Sequence, residues 1–516
     1  MGCESVHKKP RIDNIDMATF EIERINESII RLDSDDSGAV MDLAEAFTFF
    51  VTGYKFMPSY RNKLWDGKIR LYDARRRTLP YGLLYKSLQF ISERGYEVKL
   101  DPSLKPENVH SKEELLDFVK SLDIRSKSKT IEPRDYQVEA FIRSVSQQRS
   151  IVISPTGSGK SLIIYMLIRY FLAHNQTRAL IIVPTTSLVE QMKKDFADYS
   201  SHDSTFDAEG MIHQIYSGKE KHDFAANVVI TTWQSAIKCG KGWFTQYGMV
   251  IGDEAHLFKA KSLNTIMGNL VNAQYRIGTT GTLDGSQCNE LVLIGNFGPI
   301  HKVITTKNLI DNDTLADLNI QCIVLKHDDV LRKAVAKMDY QSEIATIVEH
   351  PNRNQFISKL ALTQKGNTLV IFNLVKKHGV PLYNMIKEMA DEGKKIFYVS
   401  GEISATERET IREITESEDG AVIVASAGTF STGINIKNLH NVIFAAPTKS
   451  QIRVLQTIGR GLRKSDSGQG TIIYDISDNL SWRKRKNYTM KHAQERIGIY
   501  TREGFKHRIY EIDMKL

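Results

Sequence analysis

The chain has 516 residues, 41% apolar and 25% charged, which describes a soluble globular protein too long for one hydrophobic core. Its four cysteines, Cys3, Cys239, Cys288 and Cys322, are scattered with no C-x-x-C pair; that argues against zinc or a disulfide framework and fits a reducing cytoplasm. The net charge is +8, from 69 Lys/Arg against 61 Asp/Glu, and no apolar run is long enough to span a membrane, the longest being Leu162–Ile168, closed by Arg169.

The start, Met1-Gly-Cys, lacks the Ser or Thr at position 6 that a myristoylation signal needs, Val6 standing there instead. Residues 1–125 show no regular strand rhythm. They carry Trp65-Asp-Gly-Lys-Ile-Arg70, a tight turn at Asp66-Gly67 expected between two strands, a helix over Leu83–Glu93 and a strand over Glu97–Leu100. From Arg61 to Arg77 there are seven basic residues against Asp66 and Asp73. Ser121–Pro133, rich in Ser and Lys and closed by Pro, reads as a linker.

From about 151 to 282 short apolar strands alternate with helical stretches: Ile151–Ile153, Ala179–Pro184, Val228–Thr232, Met249–Ile251 and Tyr275–Gly278. Such alternation predicts a parallel sheet covered on both faces. After a polar stretch, Lys307–Asp317, the rhythm returns in Cys322–Leu325, Thr368–Phe372, Ile396–Val399, Ala421–Ala425, Val442–Ala445 and Thr471–Tyr474. The last segment, Ser481–Leu516, reads as helical and holds ten Lys/Arg against four Asp/Glu. Two positive clusters flanking a nearly neutral middle point to a polyanionic partner.

Two strings carry chemistry. Ser154-Pro-Thr-Gly-Ser-Gly-Lys-Ser161 sits between an apolar strand and a helix, the context of a phosphate-cradling loop. Pro155, Thr156, Gly157, Ser158 and Gly159 would wrap phosphate with backbone N–H groups, aided by the positive end of the following helix. Lys160 would reach the β- and γ-phosphates and Ser161 would hold Mg²⁺. The usual pattern opens on Gly, so Ser154 is a departure. Asp253-Glu-Ala-His256 ends another strand; Asp253 is the expected second Mg²⁺ holder and Glu254 the base that orients water. Together, in this order, the strings predict an NTPase.

The ordered set of segments resembles superfamily 2 helicases over residues of roughly 130–475. That resemblance implies that Gln137 reads the adenine edge and that Thr185, Thr186 and Thr232 grip a nucleic-acid backbone. It assigns coupling of hydrolysis to movement to His256, Thr280, Thr282 and Gln456, with Gly281 standing where the family has Ala. In the second domain it implies strand contacts at Ser400, Gly401 and Thr429 and a nucleotide contact at Gly433. Many relatives carry Asp where this chain has Asn435. Arg460 and Arg463 of Gln456-Thr-Ile-Gly-Arg-Gly-Leu-Arg463 would share a helical face and reach the γ-phosphate from across the cleft. Tyr54-Lys-Phe, Leu64-Trp-Asp-Gly-Lys-Ile-Arg70 and Ser426–Gly433 extend the likeness over nearly the whole chain to the UvsW family of T4-type phage recombination helicases.

The expected fold is α/β, with two tandem RecA-like parallel-sheet domains, a small α+β N-terminal domain and a basic helical C-terminal appendage. Expected boundaries are 1–125 for the N-terminal accessory nucleic-acid-binding domain, 126–308 and 309–480 for the two RecA-like domains, and 481–516 for the appendage. Trp65, Arg70, Arg483, Lys484, Arg485 and Lys486 are its candidate nucleic-acid contacts outside the helicase segments, with Trp482 and Tyr488 as stacking platforms. The family implies a monomeric, cytoplasmic ATP-dependent helicase, using ATP and Mg²⁺, on branched or forked DNA and R-loops, with RNA in RNA–DNA hybrids. A double-stranded translocase, an RNA helicase and an ATP-gated junction clamp are the alternatives that the motifs leave open.

Overall fold

The computed structural model describes residues 18–514 apart from 52, 105–110, 217, 219–225, 284–285, 430–435, 437 and 448–469. Two seven-stranded sheets dominate it. In spatial order the first runs Ile212–Ile215, Val228–Thr232, Arg178–Val183, Tyr247–Asp253, Tyr275–Thr280, Arg149–Ile153 and Ile300–Lys302. The second runs Ile396–Val399, Val422–Ser426, Thr368–Phe372, Asn441–Phe444, Thr471–Asn479, Leu318–Lys326 and His507–Asp513. Every neighbouring pair in both sheets is parallel.

The central strands are buried at every position and mainly apolar because helices cover both faces, polar residues being confined to the strand ends. The helix Lys160–His174 follows the same logic: Leu162–Ile168 is buried throughout, so the apolar run is a sandwiched core helix. Carboxyl ends of parallel strands share one edge of a sheet, where loops can gather functional groups.

The N-terminal unit has a four-stranded mixed sheet, Thr78–Pro80, Ile29–Ser34, Thr19–Arg24 and Glu97–Leu100. Phe20, Ile22, Ile30 and Leu32 alternate inward, as a half-buried sheet requires. Thr48–Phe50 and Lys68–Arg70 pair separately as an antiparallel ladder. Asp66-Gly67 therefore does not form a tight turn between adjacent strands, contrary to the expectation: a long excursion separates the pair, and Val51 N bonds Gly67 O at its base. Gly67 has φ +82°, and a Cβ there would lie 2.3 Å from the Tyr54 ring, so the close approach needs glycine.

This unit is docked on the first large domain. Leu291, in the helix Gln287–Phe297, belongs to the unit's own apolar core. A Cβ at Gly82 would sit 1.9 Å from Ile294 O, which only glycine avoids. Arg149 Nη2 donates to Glu27 O at 2.8 Å and to Glu27 Oε2 at 2.5 Å, and its guanidinium lies 3.9 Å from the Tyr81 ring. Fully buried Arg276 donates to Glu27 O at 3.1 Å and to Met267 O. Burial and the neighbouring Arg149 both work against the Arg276 charge, and Glu27 is its compensation.

The tail, as expected, contains a helix, Tyr488–Arg502. It also ends in the strand His507–Asp513, which pairs with Leu318–Lys326 and closes the edge of the second sheet.

Removing the Glu27 carboxylate leaves two buried guanidinium groups without their counter-charge, a change that costs about 3–5 kcal/mol in comparable pairs. Glu27→Ala should lower the thermal midpoint clearly, whereas Glu23→Ala, which breaks an exposed pair with Arg31 at 3.7 Å, should leave it nearly unmoved. Equal midpoints for the two variants would show that the docking does not depend on this ion cluster.

Candidate active site

The phosphate loop leaves the strand Arg149–Ile153 and enters the helix Lys160–His174. Gly157 and Gly159 have φ of +84° and +80°, a region where L side chains are strained. Close neighbours tighten the demand: a Cβ at Gly159 would lie 2.4 Å from Gln137 Nε2, and one at Gly157 would lie 2.7 Å from Leu315 Cδ2. Leu315 belongs to the core of the second large domain, so the loop abuts that domain.

Ser154, the departure from the usual first Gly, is wholly buried and braces the loop. Its hydroxyl lies 2.5 Å from Ser158 Oγ, which donates to Pro155 O at 2.6 Å. Lys160 Nζ donates to Ser154 O at 3.2 Å, so its ammonium lies over the loop. Thr156 is half-buried beside it. Tyr136 OH and Gln137 Nε2 both donate to Ser158 O, at 2.7 and 2.9 Å, and Gln137 Oε1 accepts from Arg134 N at 2.8 Å. The Gln137 amide thus holds the loop and its own helix cap.

Asp253 closes the strand Tyr247–Asp253 and is paired in register with Thr279. Thr279 Oγ1 donates to Asp253 Oδ1 at 2.8 Å. Burial first, and the adjacent Glu254 second, raise the Asp253 carboxyl above the ordinary range, while Lys160 and the Thr279 hydroxyl pull it back. Glu254 leaves the strand with φ +53° and ψ +51°, a left-handed turn that is uncommon for a residue with a side chain. His256 Nδ1 lies 3.3 Å from Glu254 Oε2 and 3.0 Å from Thr280 Oγ1. Because Thr280 Oγ1 donates to Thr282 O at 3.0 Å, the ring nitrogen is the donor to that hydroxyl. A Cβ at Gly281 would meet nothing closer than 3.8 Å, so the family's Ala would fit here and the replacement is sterically silent.

The donor chemistry fits a small hard cation. Asp253 supplies a buried carboxylate and Ser161 a hydroxyl, a set that Mg²⁺ completes with phosphate and water oxygens. Ser161 Oγ lies 2.9 Å from Tyr199 OH, whose phenol is pushed up to about 12 by burial. Thr282 Oγ1 is buried with no hydrogen-bond partner among the described residues.

The expected strand contacts divide. Thr186 and Gly401 are exposed. Thr185 caps the helix Thr186–Tyr199 through Leu188 N. Thr232, Ser400 and Thr429 are buried, and their hydroxyls meet Ser235 Oγ, Glu402 N and Ser426 Oγ. These three can reach a backbone only through neighbouring main-chain groups. Gly433, Gln456, Arg460 and Arg463, together with Asn435, lie outside the described residues.

In the N-terminal excursion, Trp65 Nε1 donates to Lys68 O at 2.9 Å and Arg70 pairs with Asp66 at 2.5 Å. Trp65 thus braces the loop, while Arg70 stays exposed on its surface. The loop also offers Phe56 and Leu64 to solvent, 79% and 80% exposed. Lys55, Arg61 and Lys63 are exposed beside them, around a concavity of about 630 Å³. Arg61 and Lys63 belong to the basic cluster legible in sequence. Phe56 and Leu64 stand in the strings that carry the family likeness, but nothing in the sequence marked them as exposed, since lone apolar residues usually read as core. Arg483, Lys484, Arg485 and Lys486 are all exposed.

Tandem parallel sheets with a phosphate loop, a DEAH strand end and a threonine-rich segment bonded to it define a superfamily 2 helicase. Three family models match: "DNA helicase UvsW, N-terminal" over residues 22–101, "Type III restriction enzyme, res subunit" over 130–285, and "Helicase conserved C-terminal domain" over 352–465. The chain is 37% identical over 505 residues to the "ATP-dependent DNA helicase uvsW" of Enterobacteria phage T4, covering 94% of this chain and 98% of that one. The crystal structure of T4 UvsW aligns with a TM-score of 0.52 at 35% identity, over 96% of this chain and 100% of that one. A second T4 UvsW crystal structure, 99% covered, aligns over 55% of this chain with a TM-score of 0.51 at 36% identity. The chain belongs to the UvsW family of superfamily 2 helicases.

The His256–Thr280 bond links the water-orienting Glu254, through the His256 ring, to the segment expected to couple hydrolysis to movement. A cycle of His256→Ala, Thr280→Val and the double variant should give a coupling of about 0.5–3 kcal/mol in DNA-stimulated ATP turnover. Strictly additive effects would show that the bond transmits nothing.

Proposed function

We propose that the chain is an ATP-dependent DNA motor that remodels branched or forked DNA and R-loops in phage recombination, repair and replication. RNA–DNA hybrids are among its substrates, and it works as a monomer in the cytoplasm of an infected bacterium. The observation that carries the reading is the bonded chain Asp253–Thr279 with His256–Thr280 at adjacent strand ends. It supports hydrolysis linked to movement, and the likeness to the T4 helicase over nearly the whole chain supports DNA as the track.

In this reading Lys160 and the loop amides hold the β- and γ-phosphates. Glu254, turned off its strand, orients the attacking water. Ser161 and Asp253 would hold Mg²⁺, which when bound neutralises phosphate charge. Arg460 and Arg463 reach in from the second domain as the cleft closes. Thr185, Thr186, Gly401 and the main chain around Thr232, Ser400 and Thr429 grip one strand through its phosphates. The N-terminal unit, taken as residues 1–125, contacts nucleic acid through the Phe56–Leu64 excursion that Trp65 braces and through Arg70.

The decisive measurement is ATP turnover together with displacement of a labelled strand, across single strands, duplex, forks, four-way junctions, R-loops and double-stranded RNA. Displacement should be strongest on forks, junctions and R-loops. Turnover on duplex without displacement would make the protein a translocase; binding without steady turnover would make it a clamp.

Lys160→Ala should abolish hydrolysis, while Glu254→Gln should keep ATP binding and lose turnover, because only the water-orienting base is removed. Near-normal turnover in Glu254→Gln would reassign the base. Arg460→Ala and Arg463→Ala should each lower turnover by about 10³–10⁵ with nucleotide affinity changing far less; an equal loss of affinity would make them ground-state binders.

A further inference from the structure

The basic turn of the tail is not a loose appendage. It follows the strand Thr471–Asn479 at the carboxyl edge of the second sheet and lies on the helix Asp329–Val335, which leaves the neighbouring strand Leu318–Lys326. Arg332 Nε donates to Ser481 O at 2.8 Å, across 149 residues of sequence. Arg485 Nη2 donates to Met338 O at 3.2 Å. Beneath the turn Leu480 packs with Val335 and Ile347. Buried Glu343 accepts from Asn487 Nδ2, Tyr488 N and Thr489 N at 2.7–3.0 Å. The charges of the turn are therefore presented from a fixed frame.

Lys333 and Lys337, both exposed, are the chain neighbours of Arg332 and Met338, the two residues that touch the turn, so this docking brings them near exposed Arg483, Lys484 and Lys486. The carboxylates of these elements are already engaged. Asp329 pairs with Arg332 at 2.8 Å, and Asp328 and Asp339 accept the first N–H groups of their own helices. The aromatic rings, in turn, are half-buried with cations beside them: the Arg332 guanidinium is 5.8 Å from the Trp482 ring, and Arg485 and Lys491 stand 5.8 and 5.7 Å from the Tyr488 ring. Trp482 and Tyr488 thus offer bases less than a fully open platform, and stacking on such platforms is the mode by which single strands are usually held.

We propose that this composite face is a duplex handle. It holds the phosphate backbone of a double-stranded arm, without reading bases, beside the strand track on the carboxyl edge of the same sheet. A rigid array of cations without fully open stacking platforms suits the regular charge of a duplex better than a single strand. The inference rests on the DNA-motor reading given above.

The test is a titration of the full chain, without nucleotide, against duplex and against single-stranded DNA of equal length at several salt concentrations. Each duplex phosphate neutralised contributes about 0.9 to the slope of log affinity against log salt. Lys333→Ala/Lys337→Ala should flatten the duplex slope by up to about 2, and Arg483→Ala/Lys484→Ala/Lys486→Ala by up to about 3. The turn is pinned through Arg332 and Met338 and the side chains of the first pair make no hydrogen bond or ion pair among the described residues, so that variant changes charge without unpinning the turn. The second set leaves Arg485 and its bond to Met338 in place. Single-strand slopes should move much less. Unchanged duplex slopes in both variants would overturn the proposal and leave the face to an acidic protein or to solubility. Equal flattening on single strands would overturn it too, by making the face part of the strand track. Strand displacement by the unaltered chain is scored separately, so failure of the motor reading is distinguishable from failure of the handle.

Discussion

The hydrogen bond from Thr279 Oγ1 to Asp253 Oδ1 ties together the ends of two adjacent parallel strands, and the rest of the site is arranged around it. Asp253 is buried, and a carboxylate in that position needs a donor. The donor sits on the strand that continues into Thr280 and Thr282. On its far side the same strand pairs with Arg149–Ile153, and Ser154 N bonds Thr280 O at 2.9 Å. Phosphate loop, hydrolytic carboxylates and threonine segment therefore occupy three neighbouring strand ends, each about 4.8 Å from the next. At that spacing a change in any one of them moves the hydrogen bonds of the other two.

The same strand also has a second attachment. Arg276, three residues before Thr279, is the buried guanidinium that reaches Glu27 of the N-terminal unit. One end of Tyr275–Thr280 thus carries the coupling hydroxyls and its beginning anchors the accessory unit. A flexible tether would let Phe56 and Leu64 drift relative to the ATP site. The shared core at Leu291, the glycine-only approach at Gly82 and the Arg149 stack on Tyr81 hold them in register with it.

Much of this was legible in the chain because buried parallel strands have no polar alternation to obscure them. Val228–Thr232, Thr368–Phe372 and Ile396–Val399 are found where the apolar runs place them. In the two large sheets the strands without a sequence signal are edges; in the N-terminal unit, contrary to the expectation of no strand rhythm, the inner strands Thr19–Arg24 and Ile29–Ser34 do alternate. Ile212–Ile215, Ile300–Lys302 and His507–Asp513 are short or half-exposed, and carry His213, Gln214, His301, Lys302 and Arg508 where a central strand would carry Val or Ile. The phosphate loop and DEAH positions were equally readable, since their glycines and carboxylates are demanded by local geometry. Contacts made across the fold were not. Nothing local says that Gln137 holds Ser158 O or that Arg332 comes to lie near Trp482. Each depends on a partner chosen by packing.

Two departures from the family pattern, at positions 154 and 281, show how the same sheet edge absorbs substitution in different ways. At position 281 a Cβ would meet only ordinary van der Waals neighbours, at 3.8–3.9 Å, so glycine and alanine are interchangeable and no compensation is visible. At position 154 there is no space at all, and a side chain is tolerated only because its hydroxyl has a partner in Ser158 Oγ. An alanine at 154 would keep the volume near that of serine but strip Ser158 of one bond inside the loop. The motif's meaning at each position thus lies in what surrounds the backbone there. Ser158 also accepts Tyr136 OH and Gln137 Nε2 at its carbonyl, so a single loop residue joins the helix before the loop to the strand that leads into it. That is why a phosphate loop lacking its usual first glycine can still present Gly157, Gly159 and Lys160 in the conformation that phosphate binding requires.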